Sequence, residues 1–136
     1  MPFPTGVTWH ANVNGREGEL SFYAYDAQSG DLEGHLLEKL ARGYWNEASQ
    51  SLTLTVAVGT AATSPGQIEW EDTTLAVFEA YLMRTPLSPQ PGQDVTVTLT
   101  GFFQPTYSRS PVDQDWPNLT GRRPRYGWFA QGTEIL

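Results

Sequence analysis

Ser51-Leu52-Thr53-Leu54-Thr55-Val56-Ala57-Val58 is the stretch that decides the fold class. Leu52, Leu54, Val56 and Val58 alternate with Thr53, Thr55 and Ala57, and a period of two is the spacing of side chains that point in turn to opposite faces of a β-strand. Working outward, Asp94 to Phe103 repeats the pattern, with Val95, Val97 and Leu99 set against Thr96, Thr98 and Thr100. Glu19 to Tyr25 places Leu20, Phe22 and Ala24 on one face and Ser21, Tyr23 and Tyr25 on the other. Val7 to Val13 runs into Asn14-Gly15, a pair that tolerates the positive φ of a tight hairpin turn. Asp31 to Leu37, Gly43 to Asn46, Ile68 to Glu71 and Tyr126 to Gln131 read as further short strands.

Two stretches have a second reading. Leu36, Leu37, Leu40 and Ala41 also fit helical spacing, but the stretch is short and Gly34 and Gly43 bracket it, which favours strand, then a tight turn or one helical turn, then a strand near Gly43 to Asn46. Thr74 to Arg84 is apolar in both registers, Leu75, Val77, Tyr81 and Met83 on one side and Ala76, Phe78, Ala80 and Leu82 on the other. Helix accommodates that too, yet the β-branched and aromatic content favours strand. Apolar residues on both faces of a strand call for cover on both sides, so a homo-oligomer is expected, with Phe102 or Phe103 joining the outer face of this strand in the contact.

The 13 Gly and 10 Pro punctuate short runs, as successive hairpins require. About eight strands joined mostly by short turns give an all-β fold, an antiparallel up-and-down meander closing into a barrel; a β-sandwich is the alternative. All 136 residues are read as one domain.

Composition narrows the function classes. A net charge of −7 repels phosphate backbones, so nucleic acid is not an expected partner. No apolar run approaches a membrane-spanning length, and no membrane partner is expected. Cysteine is absent, which removes disulfides and thiolate chemistry from this chain. Met1 to Gly6 lacks a basic segment followed by an apolar one, so a cytoplasmic location is the default expectation, with secretion left open.

Gly6-Val7-Thr8-Trp9-His10-Ala11-Asn12 resembles the first strand of the avidin-like barrels, in which Gly-x-Trp with a nearby Asn opens an eight-stranded meander. Leu32-Glu33-Gly34-His35-Leu36 and Gly43-Tyr44-Trp45 are similar to that family's later Leu-x-Gly and Gly-x-aromatic strands. The resemblance implies a calycin-type barrel that binds a ligand at its open end. Asn12 lies one residue further from Trp9 than the family pattern places it, which reverses the face it occupies, and Arg16 and Glu17 stand where the family has a small hydroxyl residue. Biotin is therefore not specifically expected.

The residues that invite a binding role are aromatic. Trp9, Trp45, Trp70, Trp116 and Trp128 offer flat surfaces with one N–H donor each, suited to a sugar face or a heterocycle, or simply to core packing. The long connection from Gln104 to Arg125 carries Tyr107, Trp116 and Arg123, the last within a basic Arg122-Arg123-Pro124-Arg125 run, and reads as a lid, a rim or a solvated loop. Trp9, Asn12, Trp45, Trp70, Tyr107, Trp116, Arg123 and Trp128 form the candidate ligand-binding set. No spacing suits a metal or a cofactor, and none is expected. The expectation is non-enzymatic binding of a small molecule or glycan in or at the mouth of the barrel. The alternatives are an interaction protein with a solid core, and a barrel-type cyclase or isomerase in which His35 or Glu79 would be the acid or base.

Overall fold

The computed structural model describes residues 2–57, 74–105 and 125–135. They form eight strands: β1 (Trp9–Val13), β2 (Arg16–Tyr25), β3 (Asp31–Leu36), β4 (Lys39–Asn46), β5 (Ser51–Ala57), β6 (Thr74–Thr85), β7 (Asp94–Pro105) and β8 (Tyr126–Ile135). Each pairs antiparallel with the next, and β8 returns to pair with β1, so the sheet closes into an up-and-down barrel. The run Ile68 to Glu71 and most of the long connection lie outside the described residues.

Alternation sets what fills the barrel. Leu52, Leu54 and Val56 from β5, and Val95, Val97 and Leu99 from β7, are fully buried, while their threonine neighbours point away. Inward positions of β6 are Ala76, Phe78, Ala80 and Leu82, leaving Glu79, Tyr81 and Met83 exposed. The interior of an eight-stranded barrel is just wide enough for side chains to fill. Burying each large apolar side chain is worth about 1.5–3 kcal/mol, so this packed centre is the main source of stability.

The stretch from Leu36 to Ala41 is strand, turn and strand rather than helix. Leu37 and Glu38 form the turn with φ of 48° and 69°, the left-handed pair that a two-residue hairpin demands, although neither residue type advertises it. Asn14 and Gly15 make the equivalent turn between β1 and β2 with φ of 49° and 97°.

One face assignment changes. The β2–β3 pairing shifts register between Phe22 and Ala24, a bulge centred on Tyr23. Past the bulge the faces exchange, so Tyr25 packs against the core with Leu20 and Phe22, and Ala24 is exposed.

The turns at 14–15 and 37–38 lie at one end of the barrel, together with the ends of β5 and β7 and the starts of β6 and β8. At the opposite end the chain enters through residues 2–8, which belong to no strand, and Phe3 is buried there.

Candidate functional site

Trp9 and Trp45 come together at the end of the barrel that the N-terminal segment enters. Trp9 is the first residue of β1 and Trp45 the penultimate residue of β4, and both inward positions are almost completely buried, at 1% and 2% exposure. The Phe3 ring lies between them, stacked on Trp9 at 6.0 Å and edge-on to Trp45 at 5.2 Å. Phe22 meets the same ring edge-on at 5.1 Å, and Tyr25 at 5.9 Å. Four rings carried by strands thus enclose a fifth carried by the chain terminus. Tyr25 belongs to this cage only because of the β2 bulge, and an alternating reading of β2 turns it outward.

A hollow of about 220 Å³ runs beside the cage, lined by residues 3–7 on one side and by Trp9, Phe22 and Tyr25 on the other. Among the described residues, no carboxylate, histidine, lysine or arginine lines it. The indole Nε1 of Trp45 is buried and has no hydrogen-bond partner among the described residues. Below the cage, Arg84 of β6 is buried and donates to Glu134 at 3.1 Å, to Gln50 at 3.3 Å and to the carbonyl of Pro2 at 3.5 Å. The buried guanidinium is thereby paired, as a charge out of water must be.

Gly43 explains how Trp45 and its strand sit so close to β5. A Cβ at Gly43 would overlap the carbonyl oxygen of Thr53, so the Gly-x-aromatic spacing lets the two backbones approach while the indole turns inward.

Trp128 stands apart from Trp9 and Trp45. It is 2% exposed and packs edge-on against Phe78 at 5.2 Å, and Phe78 stacks on Phe103 at 4.7 Å, which in turn stacks on Tyr126 at 5.4 Å. These four rings form a second cluster with its own internal contacts. Asn12 is on the outward side of β1, where its Oδ1 accepts from the backbone N–H of Gly15 at 2.7 Å and braces the hairpin turn. Trp70, Tyr107, Trp116 and Arg123 lie outside the described residues. Arg125, at the end of the basic run, is described and sits over the ring of Phe102 at 5.3 Å.

His35 and Glu79 occupy β3 and β6, separated by β4 and β5, and do not share a site. His35 lies beside the Tyr23 ring at 5.5 Å. Burial first, and then the charge and hydrogen bond of Glu33, push the Tyr23 hydroxyl above its ordinary pKa. Glu33 is itself bridged to Arg42 at 2.9 Å. Among the described residues, no group of three His, Asp or Glu is placed to hold a metal ion, and no helix is long and apolar enough to cross a membrane.

Comparison of the chain with protein-family models, with curated proteins and with solved structures yields no match. The eight-stranded closed up-and-down barrel is consistent with the calycin-type shape that the sequence resemblance implies, and no match supports a closer likeness.

Proposed function

We propose that this chain is a non-enzymatic binding protein that takes a small, uncharged, planar molecule at the end of the barrel where Trp9 and Trp45 flank Phe3. The observation that carries this reading is the cage itself: four strand-borne rings around one position, with a hollow of about 220 Å³ alongside. Ring faces held at 5–6 Å suit an aromatic guest by stacking and edge contacts. A sugar is a poorer fit, because each hydroxyl buried against the ring faces of the cage would need a partner that those faces do not supply. An ion is poorer still, since no opposite charge among the described residues lines the hollow.

Calorimetry and tryptophan emission, with a panel of planar aromatics and a panel of neutral sugars, test the reading. Saturable binding of aromatics is expected, weakened by Trp9→Leu and accompanied by a rise in melting temperature that grows with ligand concentration. If the sugars bind and the aromatics do not, or if no compound binds at millimolar concentration, the reading fails.

A second reading, an interaction protein that associates with its own copies, has one observation in its favour. Tyr81, Met83, Phe102 and Phe129 stand exposed on adjoining strands β6, β7 and β8, outside an already filled core.

A further inference from the structure

We infer that the N-terminal segment is a built-in competitor for the aromatic cage: a neutral heteroaromatic ligand with a hydrogen-bond acceptor binds by replacing the Phe3 ring, its acceptor meeting the indole N–H of Trp45. This rests on the binding reading above and adds to it the ligand's chemistry and the gate.

Phe3 differs from the other four rings in how it is held. Trp9, Phe22, Tyr25 and Trp45 are fixed by the sheet, each on a strand paired on both sides. Phe3 sits on a segment that joins no strand. Among the described residues, two hydrogen bonds tie Pro2 and Phe3 to the barrel, from Arg84 Nη2 to the Pro2 carbonyl and from the Phe3 N–H to the Tyr25 hydroxyl, and both are 3.5 Å long. Bonds at that distance are weak. The ring's burial, not its backbone, keeps it in place.

Space and polarity point to an exchange. The present hollow is smaller than the roughly 300 Å³ at which ligand sites usually begin. Withdrawing Phe3 merges its own volume with the hollow and brings the enlarged site against Trp45. The buried Nε1 donor of Trp45 has no partner among the described residues, and the Phe3 ring packed edge-on against that indole supplies no lone pair. A buried donor left unpaired is costly, so a guest that stacks as phenylalanine does and also accepts a hydrogen bond is the better occupant. Arg84 stays neutralised by Glu134 when the segment leaves, because the 3.1 Å pair does not involve Pro2.

Such a gate lowers apparent affinity by the fraction of molecules whose segment is withdrawn. Quinoline, which has an acceptor nitrogen, and naphthalene, which has none, are the probes, titrated by calorimetry into wild type, Phe3→Ala, Phe3→Leu and Trp45→Phe. Wild type should bind quinoline about fivefold or more tighter than naphthalene, and Trp45→Phe should erase that preference. Phe3→Ala should tighten both probes by about tenfold or more, as a resident competitor is removed. Quinoline at saturation should speed amide exchange at residues 3–7. If Phe3→Ala unfolds, Phe3→Leu, which keeps the site apolar, supplies the same comparison with a smaller gain. Equal affinity in wild type and the Phe3 variants, or slower exchange at residues 3–7, would overturn the gate and leave the binding reading standing. An absence of binding in every variant would remove both.

Discussion

The indole Nε1 of Trp128 on β8 donates to the main-chain carbonyl of Glu79 on β6 at 3.0 Å, reaching across the strand between them. The residue it passes over is Gly101 of β7, which pairs with Ala80 on one side and with Trp128 on the other. A Cβ at Gly101 would overlap the same Glu79 carbonyl oxygen. The glycine, the indole and the carbonyl therefore form one arrangement that joins three strands.

Gly101→Ala should destabilise the fold by about 2–4 kcal/mol, because backbone must shift to admit the methyl group. Trp128→Phe removes the donor and leaves the carbonyl buried, at a cost of about 1–3 kcal/mol before any cavity is counted. The double variant should lose less than the sum, since both changes act on one hydrogen bond. Urea midpoints with an unchanged slope measure all three. A strictly additive double variant would show that Gly101 acts independently of the indole.

Asn12 is expected to act on stability rather than on ligand. Its Oδ1 holds the Gly15 N–H at 2.7 Å, so Asn12→Ala should cost about 1 kcal/mol. Asn12→Asp keeps the acceptor and should recover most of that loss. Neither variant should alter the affinity of a planar aromatic ligand by more than about twofold, a margin within ordinary surface effects. A large affinity change in Asn12→Asp would return this residue to the binding site.

The fold was legible where chemistry and period agree. β5 and β7 alternate Leu and Val with Thr, and the structure buries the set that the alternation selects. β6 was legible as a strand with two apolar faces, and the barrel decides between them by burying Ala76, Phe78, Ala80 and Leu82. The hairpin at Leu37 and Glu38 was harder to read, because positive φ there falls on residues that seldom adopt it and no Gly or Asn marks the place. The cage was only half legible. Trp9 and Trp45 stand out as large rings, but their shared contact with Phe3 depends on the curl of the sheet, and Tyr25 joins them through a bulge that no residue type announces. Phe3 sits in a segment without periodicity, and nothing local ties it to residues 22 or 45.

Acid should weaken the β2–β3 turn through Asp26. Its carboxylate accepts backbone N–H bonds from Gln28 at 2.8 Å and Ser29 at 3.2 Å, and these bonds, Gln28 first, hold its pKa below the ordinary 3.8. The folded value lies below the unfolded one, so the folded state binds fewer protons. The stabilisation is therefore present above the unfolded pKa and is lost as pH falls through the folded one. Asp26→Ala should be less stable than wild type at pH 6, and the difference should shrink once pH drops below 3.8. Asp26→Asn, which accepts the same bonds without titrating, should show no such convergence. Paired urea titrations from pH 6 to about pH 2.5 provide the check, and a wild-type advantage over Asp26→Ala that stays constant below the ordinary carboxylate range would contradict the assignment.

Self-association through the β6–β8 wall is the remaining expectation. Tyr81 and Phe129 flank Thr100 in one cross-strand row, and Phe102 lies in the next row beside Glu79. Tyr81 is 64% exposed and Phe102 55%. With aromatic side chains carrying roughly 150–250 Å² each, Tyr81, Met83, Phe102 and Phe129 leave on the order of 400 Å² of uncovered, mostly apolar surface. That is about half of the roughly 800 Å² per partner in a standard interface, and the threonines between the rings can supply more. Two copies that each carry −7 approach most easily through a face with little charge. The charges near Phe102 are opposite, Glu79 across the strand pair and Arg125 over the ring, so a two-fold arrangement that sets each against its counterpart would pair unlike charges. Sedimentation equilibrium should show a dimer or larger species at about 50 μM, where a micromolar Kd of roughly −8 kcal/mol suffices. Tyr81→Glu and Phe102→Glu should each weaken association by about tenfold or more, roughly 1.4 kcal/mol, without changing the melting temperature of the isolated barrel. A wild-type chain that sediments as a monomer throughout that range would leave these rings as ordinary exposed side chains and end the second reading.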